Sequence, residues 1–150
     1  MMEIKTFTTH ANGMDFHCEM MGQGPTVVLV PDGSNDCGPD EKMMAYLSDE
    51  FTVLTFDPRG GSRSPDPHPR PVTPELFSDD IASLAQQVPV ETPVSAFGVS
   101  SGRQAVLALA RFHADILRNG IVHEAPLQAD TPIENAGFST SPLGRGRLPG

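Results

Sequence analysis

The sequence is poor in cationic residues and contains no long apolar run. Its 10 Lys and Arg are outnumbered by 19 Asp and Glu, which gives a formal net charge of -9. An acidic chain without a basic cluster does not favour nucleic acid or an anionic membrane as a partner. No apolar stretch reaches the length of a membrane span, and the N-terminus lacks the charged-then-apolar pattern of a signal peptide. We therefore expect a cytoplasmic protein that binds neither nucleic acid nor membrane.

Cysteine is also scarce. Cys18 and Cys37 are too few for a disulfide framework and do not have the spacing of metal ligands. A reduced thiol state follows, and we expect no metal and no cofactor. The length of 150 residues is that of one domain with a real core.

Proline and glycine are plentiful instead, which is typical of a chain with many turns. Residues 3–9 and 14–21 are predicted to form two strands of a hairpin around Asn12 and Gly13. Further strands are predicted at 26–30, 51–56, 93–97 and 119–123, with helices near 39–49, after Thr73 and at 103–112. This alternation predicts an α/β fold with a mostly parallel sheet and helices on both faces.

Apolar periodicity predicts which helix faces are buried. Met43, Met44 and Leu47 are expected to point inward from the first helix. The third helix is nearly all apolar and is expected to be buried. On the second helix Thr73 is the predicted cap, Pro74 the first residue, and the inward face holds Phe77, Ile81, Leu84 and Val88.

The stretch at residues 98–102 carries the strongest chemical signal. It reads Gly-Val-Ser-Ser-Gly between a predicted strand and a predicted helix, the arrangement of a nucleophile elbow. Such a turn is so tight that side chains at Gly98 or Gly102 would collide with neighbouring backbone. Ser100 would project as a nucleophile and the amide of Ser101 could stabilise an oxyanion. The alternative interpretation is an ordinary Gly- and Ser-rich turn.

Four candidate residues lie at the carboxyl ends of predicted strands: Gly33, Asp57, Ser100 and Glu124. In parallel sheets, functional groups gather at the carboxyl ends of the strands. The sequence therefore predicts a site at this edge of the sheet.

Residues 57–64, Asp-Pro-Arg-Gly-Gly-Ser-Arg-Ser, resemble the D-x-R-G-x-G-x-S loop of the α/β-hydrolase fold family, with Ser62 in place of the second glycine. The resemblance extends over about residues 4–127. Within the family it is greatest to zearalenone lactonase-like hydrolases, through the residues at 27–33, 62–64, 100–102 and 116–124. It implies a small-molecule ester or lactone as substrate.

The resemblance also implies roles for individual residues. Ser100 matches the nucleophile, and Gly33 and Ser101 match the residues whose amides form the oxyanion hole. Glu124 matches the acid that orients the triad histidine. Without the resemblance, Glu124 is better interpreted as a solvated carboxylate at a strand end.

No histidine follows Glu124, although the family places its catalytic histidine after the acid. On a strand, His123 would face away from its neighbour Glu124. The resemblance thus implies that residues 1–127 are the N-terminal part of a hydrolase domain. All the histidines, none of them expected to be catalytic, are His10, His17, His68, His113 and His123.

Residues 128–150 show no periodicity and are predicted to be a disordered tail. Three hypotheses stay open: an incomplete serine hydrolase, a catalytically inactive hydrolase-like binding domain, and a non-functional truncated fragment. Because the family's later strands are missing, we expect the 119–123 strand to leave an exposed sheet edge, through which the chain could self-associate.

Overall fold

A computed structural model describes residues 2–32 and 36–123. A short 3-10 helix, Gly38–Asp40, leads into the first α-helix. Within the described residues the elements are β1 (Lys5–Ala11), β2 (Met14–Met21), β3 (Thr26–Val30), α1 (Glu41–Leu47), β4 (Thr52–Phe56), α2 (Pro74–Gln87), β5 (Val94–Val99), α3 (Ser101–Phe112) and β6 (Leu117–His123).

The strands form one sheet in the order β1-β2-β4-β3-β5-β6. β1 and β2 are an antiparallel hairpin, and β2 is antiparallel to β4. The pairs β3–β4, β3–β5 and β5–β6 are parallel. The predicted α/β class and mostly parallel sheet are therefore confirmed.

Several predicted boundaries were wrong by a few residues. β1 runs over Lys5–Ala11 because its pairing with β2 continues to the turn, where Ala11 lies opposite Met14. The helix predicted near 39–49 is divided between the 3-10 helix and α1. β5 extends to Val99 and α3 begins at Ser101, so only Ser100 separates them. The turn is thus tighter than the sequence pattern suggested.

Helices cover both faces of the sheet. α2 and α3 pack on one face over the larger core, and Thr73 caps α2 by accepting a hydrogen bond from the Leu76 amide at 3.1 Å. The predicted inward face of α2 is confirmed, since Phe77, Ile81, Leu84 and Val88 are all buried. α1 lies on the other face over a smaller core that includes Met44.

Two burial expectations were wrong. Met43 is 39% exposed, because it lies about 100° around α1 from the buried Met44. α3 is amphipathic and not wholly buried: Leu107 and Phe112 are 38% and 46% exposed. The helix rests on the sheet with one face only.

β6 is an edge strand that pairs with β5 alone among the described strands. Residues 118–123 are all exposed, and Ile121 and Val122 point large apolar side chains to opposite faces. The exposed edge is present, while self-association through it stays a prediction. No helix in the described part of the chain has both the length and the apolar character needed to cross a membrane.

Candidate active site

The Ser100 turn, residues 98–102, connects β5 to α3 with Ser100 as the single intervening residue. Ser100 is the residue between them and has φ 54° and ψ -123°, a left-handed conformation that side-chain-bearing residues rarely adopt. Holding a residue there costs about 1–3 kcal/mol, so the surrounding structure must enforce it. Ser100 is exposed, and its side chain does not cap the helix. The hydroxyl is therefore free of helix capping.

Close packing of backbone on backbone enforces this turn. A Cβ on Gly98 would meet the carbonyl oxygen of Gly102. A Cβ on Gly102 would lie 2.8 Å from the carbonyl oxygen of Val30, at the end of β3. The predicted need for glycine on both sides of the turn is confirmed. Together the two contacts bring the first turn of α3 against the carboxyl ends of β5 and β3.

Ser101 begins α3 and is only 7% exposed. Its amide is among the first N–H groups of the helix, which have no acceptor within the helix itself. The positive end of the helix dipole adds to this donor. Ser100 is also fixed through its carbonyl oxygen, which accepts from the Arg103 amide at 3.2 Å and from the Arg103 guanidinium at 3.3 Å.

The sheet register places three strand ends side by side. Val30 of β3 lies opposite Gly98, and Val99 lies opposite His123 of β6. Gly33 and Glu124, which follow β3 and β6 in sequence, lie outside the described residues, as does the predicted tail. Their assigned roles stay predictions.

Most of the histidines have carboxylate partners of their own. His10 pairs with Asp15 at 2.7 Å, and His113 pairs with Asp79 at 2.6 Å. His17 lies 3.2 Å from a Glu19 oxygen. None of the hydrogen bonds found among residues 2–32 and 36–123 joins a histidine to Ser100. His123 is nearest in register, because its partner Val99 directly precedes Ser100.

The arginine loop, residues 57–64, follows β4 at the same edge of the sheet. Asp57 is fully buried and accepts from the Cys37 amide at 2.9 Å and from Arg63 Nε at 2.7 Å. Burial by itself would raise the pKa of Asp57, but these donors outweigh it and lower the pKa to about 2. With its oxygens so well supplied with donors, Asp57 anchors the loop and is poorly suited to proton transfer.

A second ion pair ties the arginine loop to α2. Arg59 donates to both carboxylate oxygens of Asp80, at 3.0 and 2.8 Å, and to the carbonyl oxygen of Asn12 at 2.8 Å. Arg59 and Asp80 are both buried. This loop therefore supports the edge of the sheet through buried charge.

A cavity of about 150 Å³ opens beside the ends of β3 and β5. Phe97 and Val99 contribute apolar walls, and Asp40 contributes a carboxyl group. Burial, together with the nearby charges of Asp32 and Glu19, raises the pKa of Asp40 to about 6, although a hydrogen bond with Thr55 opposes the shift. Asp40 was not predicted as a site residue, because no motif contains it and only its position after β3 could have suggested it.

Comparison with known proteins finds relatives among hydrolases. No protein-family model matches the chain. It is 37% identical over 128 residues to a zearalenone hydrolase of Cladophialophora bantiana, a match covering 83% of this chain and 48% of that protein. It is 32% identical to a zearalenone hydrolase of Bionectria ochroleuca, with coverage of 89% and 52%. The chain thus spans about half the length of the curated relatives it matches.

Solved structures agree on the fold. An epoxide hydrolase from Vigna radiata superposes with a TM-score of 0.77 at 20% identity, covering 87% of this chain and 42% of that chain. An E-2-(acetamidomethylene)succinate hydrolase gives a TM-score of 0.71 at 23% identity, with coverage of 83% and 46%. The sheet order, the tight turn between β5 and α3 and these likenesses lead to one assignment. The chain has the α/β-hydrolase fold.

Proposed function

We propose that this chain carries the nucleophile half of a serine hydrolase that cleaves a carboxylic ester or lactone through Ser100. The observation that carries the proposal is the strained, exposed position of Ser100 between β5 and α3. A serine without a chemical task has no reason to occupy a left-handed conformation enforced by two glycines. The zearalenone hydrolases among the relatives support a small-molecule substrate.

In the proposed reaction the Ser100 oxygen attacks the carbonyl carbon of the ester. Its proton passes to a base, and the carbonyl oxygen becomes an oxyanion that accepts from the amides of Ser101 and Gly33. The alcohol oxygen then leaves with a proton, and water hydrolyses the acyl-serine. Glu124 would orient the base. We assign these roles to residues 1–127 and none to 128–150.

The base is the missing part of this scheme. A serine hydroxyl is a weak nucleophile unless a neighbouring group takes its proton. Loss of a triad member costs on the order of 10⁶ in rate in a well-studied protease, while the oxyanion hole retains roughly 10³–10⁴ over water. We therefore expect the 150-residue chain alone to turn over esters near background.

Labelling with a fluorophosphonate tests the proposal. Two proteins are compared: the chain itself, and residues 1–127 fused to the part of the Cladophialophora bantiana zearalenone hydrolase that this chain does not match. The chain alone should label slowly, and the fusion should label rapidly and hydrolyse an ester. Ser100→Ala should abolish both in the fusion, whereas Ser62→Ala, at an exposed serine of the arginine loop, should change neither.

Two results would contradict this account. Labelling that persists in Ser100→Ala would exclude Ser100 as the nucleophile. Rapid labelling of the chain alone would show that one of its own histidines acts as the base. His123→Gln would then be the first variant to examine, because His123 lies opposite Val99.

A catalytically inactive binding domain is the second candidate. It is favoured by the lack of any hydrogen bond between Ser100 and a histidine in the described part of the chain, and by the cavity that remains beside the turn. In that case a non-hydrolysable ester analogue would bind the chain with the same affinity before and after Ser100→Ala, and the fusion would stay unlabelled.

A further inference from the structure

Three side chains with metal-binding atoms converge near the arginine loop and have no part in the proposed hydrolysis. His17 and Glu19 are two residues apart on β2, so their side chains lie on the same face of that strand. Cys37 comes from the segment between β3 and α1. His17 Nε2 lies 3.2 Å from Glu19 Oε1, and the three ligand atoms are within 4.8 Å of one another. We call these three residues the His17 cluster.

The backbone on both sides of the cluster is held in place by the arginine loop. The His17 amide donates to Ser64 Oγ at 2.9 Å, and the Cys37 amide donates to Asp57 Oδ1 at 2.9 Å. Cys37 is fully buried, and the side chains of His17 and Glu19 are only 12% and 13% exposed. The ligand atoms are thus brought together by the fold itself and do not depend on flexible surface side chains.

The one cation in contact with the cluster is Arg63, within the part of the chain that the structure describes. Its guanidinium lies 3.4 Å from a Glu19 oxygen and 3.6 Å from Cys37 Sγ. Its shorter contacts are to Asp57, at 2.7 and 3.0 Å, and its side chain is 46% exposed. The Arg63 amide also donates to Asp57 Oδ2 at 3.0 Å. The half-exposed guanidinium can therefore turn to solvent while the backbone of the loop stays bonded to Asp57.

Charge balance favours a second cation. With Glu19 and Asp57 ionised and Arg63 positive, the group carries a net charge of -1 while the thiol is protonated. Binding a divalent ion and releasing the thiol proton brings the group to neutrality. Imidazole, carboxylate and thiolate are all ligands that zinc takes, and three protein ligands leave a fourth position for water.

We propose that His17, Glu19 and Cys37 form a binding site for a thiophilic divalent cation such as Zn²⁺. The ion binds through His17 Nε2, a Glu19 carboxylate oxygen and the Cys37 thiolate, and the thiol proton goes to solvent. The Arg63 guanidinium turns to solvent, and the Arg63 amide keeps its hydrogen bond to Asp57. The site does not rest on the role of Ser100, because it uses none of the residues assigned to hydrolysis.

The test uses the reduced, chelator-treated 150-residue chain and two probes, ZnCl₂ in titration calorimetry and Co²⁺ in absorption spectroscopy. We expect a single equivalent of Zn²⁺ to bind and a thiolate-to-cobalt charge-transfer band to appear. Cys37→Ser should abolish the band, and both Cys37→Ser and His17→Gln should weaken Zn²⁺ binding by about tenfold or more. The matched control is His10→Gln, at an exposed His–Asp pair on the same hairpin.

Three results would overturn the proposal. The first is the absence of a charge-transfer band from the unaltered protein at saturating Co²⁺. The second is Zn²⁺ affinity that Cys37→Ser and His17→Gln leave unchanged, and the third is an equal loss in His10→Gln. The cobalt spectrum of the unaltered protein is informative even if a variant fails to fold, since Cys18 faces the opposite side of β2 from His17 and Glu19.

Discussion

The Ser100 turn and the arginine loop lie at the same edge of the sheet but are held by opposite means. The Ser100 turn is held by shape, since the backbone of α3 occupies the space that a side chain on Gly98 would need. The arginine loop is held by charge, through the pairs Arg59–Asp80 and Arg63–Asp57. The Ser100 turn has no space for an added side-chain atom, and the arginine loop is destabilised when either member of an ion pair is removed. Substitutions in the two regions should therefore fail for different reasons.

The largest effect is expected from Arg59→Met in the arginine loop. It leaves the Asp80 carboxylate, which is fully buried, without its bidentate partner. Breaking a buried pair in this way lowers the free energy of unfolding by about 3–5 kcal/mol. Urea unfolding measures it. Arg118→Met, at an exposed position on β6, is the control and should stay within about 0.5 kcal/mol of the parent.

The double variant Arg59→Met/Asp80→Leu sharpens this result. It removes both charges of this pair together, so the uncompensated carboxylate at position 80 is gone. Asp66, whose side chain is 5% exposed, loses its 3.4 Å contact with Arg59 in both variants. Much of the lost stability should return. A double variant as unstable as Arg59→Met alone would mean that Arg59 acts mainly by packing, for which its position 5.8 Å from the Phe16 ring offers a cause.

In the Ser100 turn, Gly98→Ala should lower the free energy of unfolding by about 2–3 kcal/mol. The new Cβ meets the Gly102 carbonyl and the Arg103 amide, and backbone atoms cannot rotate away as a side chain can. Gly60→Ala in the arginine loop is the contrast: it has φ 76° and nothing within 4 Å of its Cβ, so only conformational strain of about 1 kcal/mol applies. An equal loss of unfolding free energy in Gly98→Ala and Gly60→Ala would contradict the argument that a steric clash at Gly98 costs more than backbone strain at Gly60.

The Asp57–Arg63 pair predicts a loss of stability in acid. The folded pKa of Asp57 is about 2, below its ordinary 3.8. The pair therefore contributes to the free energy of unfolding above pH 4, and this contribution disappears as the pH falls toward 2. That shift corresponds to about 2 kcal/mol. Unfolding free energies measured from pH 5 to pH 2 should fall less steeply in Asp57→Asn than in the parent. Parallel curves would show that other carboxylates dominate acid unfolding.

The pH dependence of stability due to Asp40 should be opposite in sign to that due to Asp57, and it is the smallest of these effects. Its folded pKa of about 6 is above its ordinary 3.8, so stability falls as the pH rises from 4 through 6. Asp40→Asn removes this loss and still offers an oxygen to Thr55. We expect Asp40→Asn to raise the free energy of unfolding by on the order of 1 kcal/mol at pH 7.5 and to change it little at pH 4. The figure is kept small because Asp40 is partly exposed to solvent. A variant that is no more stable at pH 7.5 would contradict the burial argument.

Local features were the ones that the sequence predicted well. The β-branched run at 26–30 marked the central strand β3, and Thr73 with Pro74 marked the start of α2. The glycines at 98 and 102 indicated the tight turn, because the crowded backbone there leaves no space for the Cβ atom of any other residue. Each of these features is decided by a few neighbouring residues.

Features that depend on distant segments could not be predicted. The sequence gives no sign that Arg59 pairs with Asp80, or that Cys37 lies beside His17 and Glu19, because strand order decides these contacts. Met43 is a different case, because its angle of about 100° from Met44 around α1 follows from the helix period alone. Neither the sequence nor the described residues identify the base for Ser100.

The position of β3 has a consequence for folding. It lies at the centre of the sheet, yet both neighbours come later in the chain: Val27 pairs with Val53 on one side and with Ser95 on the other. During synthesis, β3 therefore emerges long before β5 can cover it. Such non-local parallel pairing is slow, and an uncovered Val-Val-Leu-Val segment is prone to pair with other chains meanwhile. Pro25 and Pro31, one on each side of β3, cannot donate a backbone hydrogen bond and so limit how far such mispairing can extend.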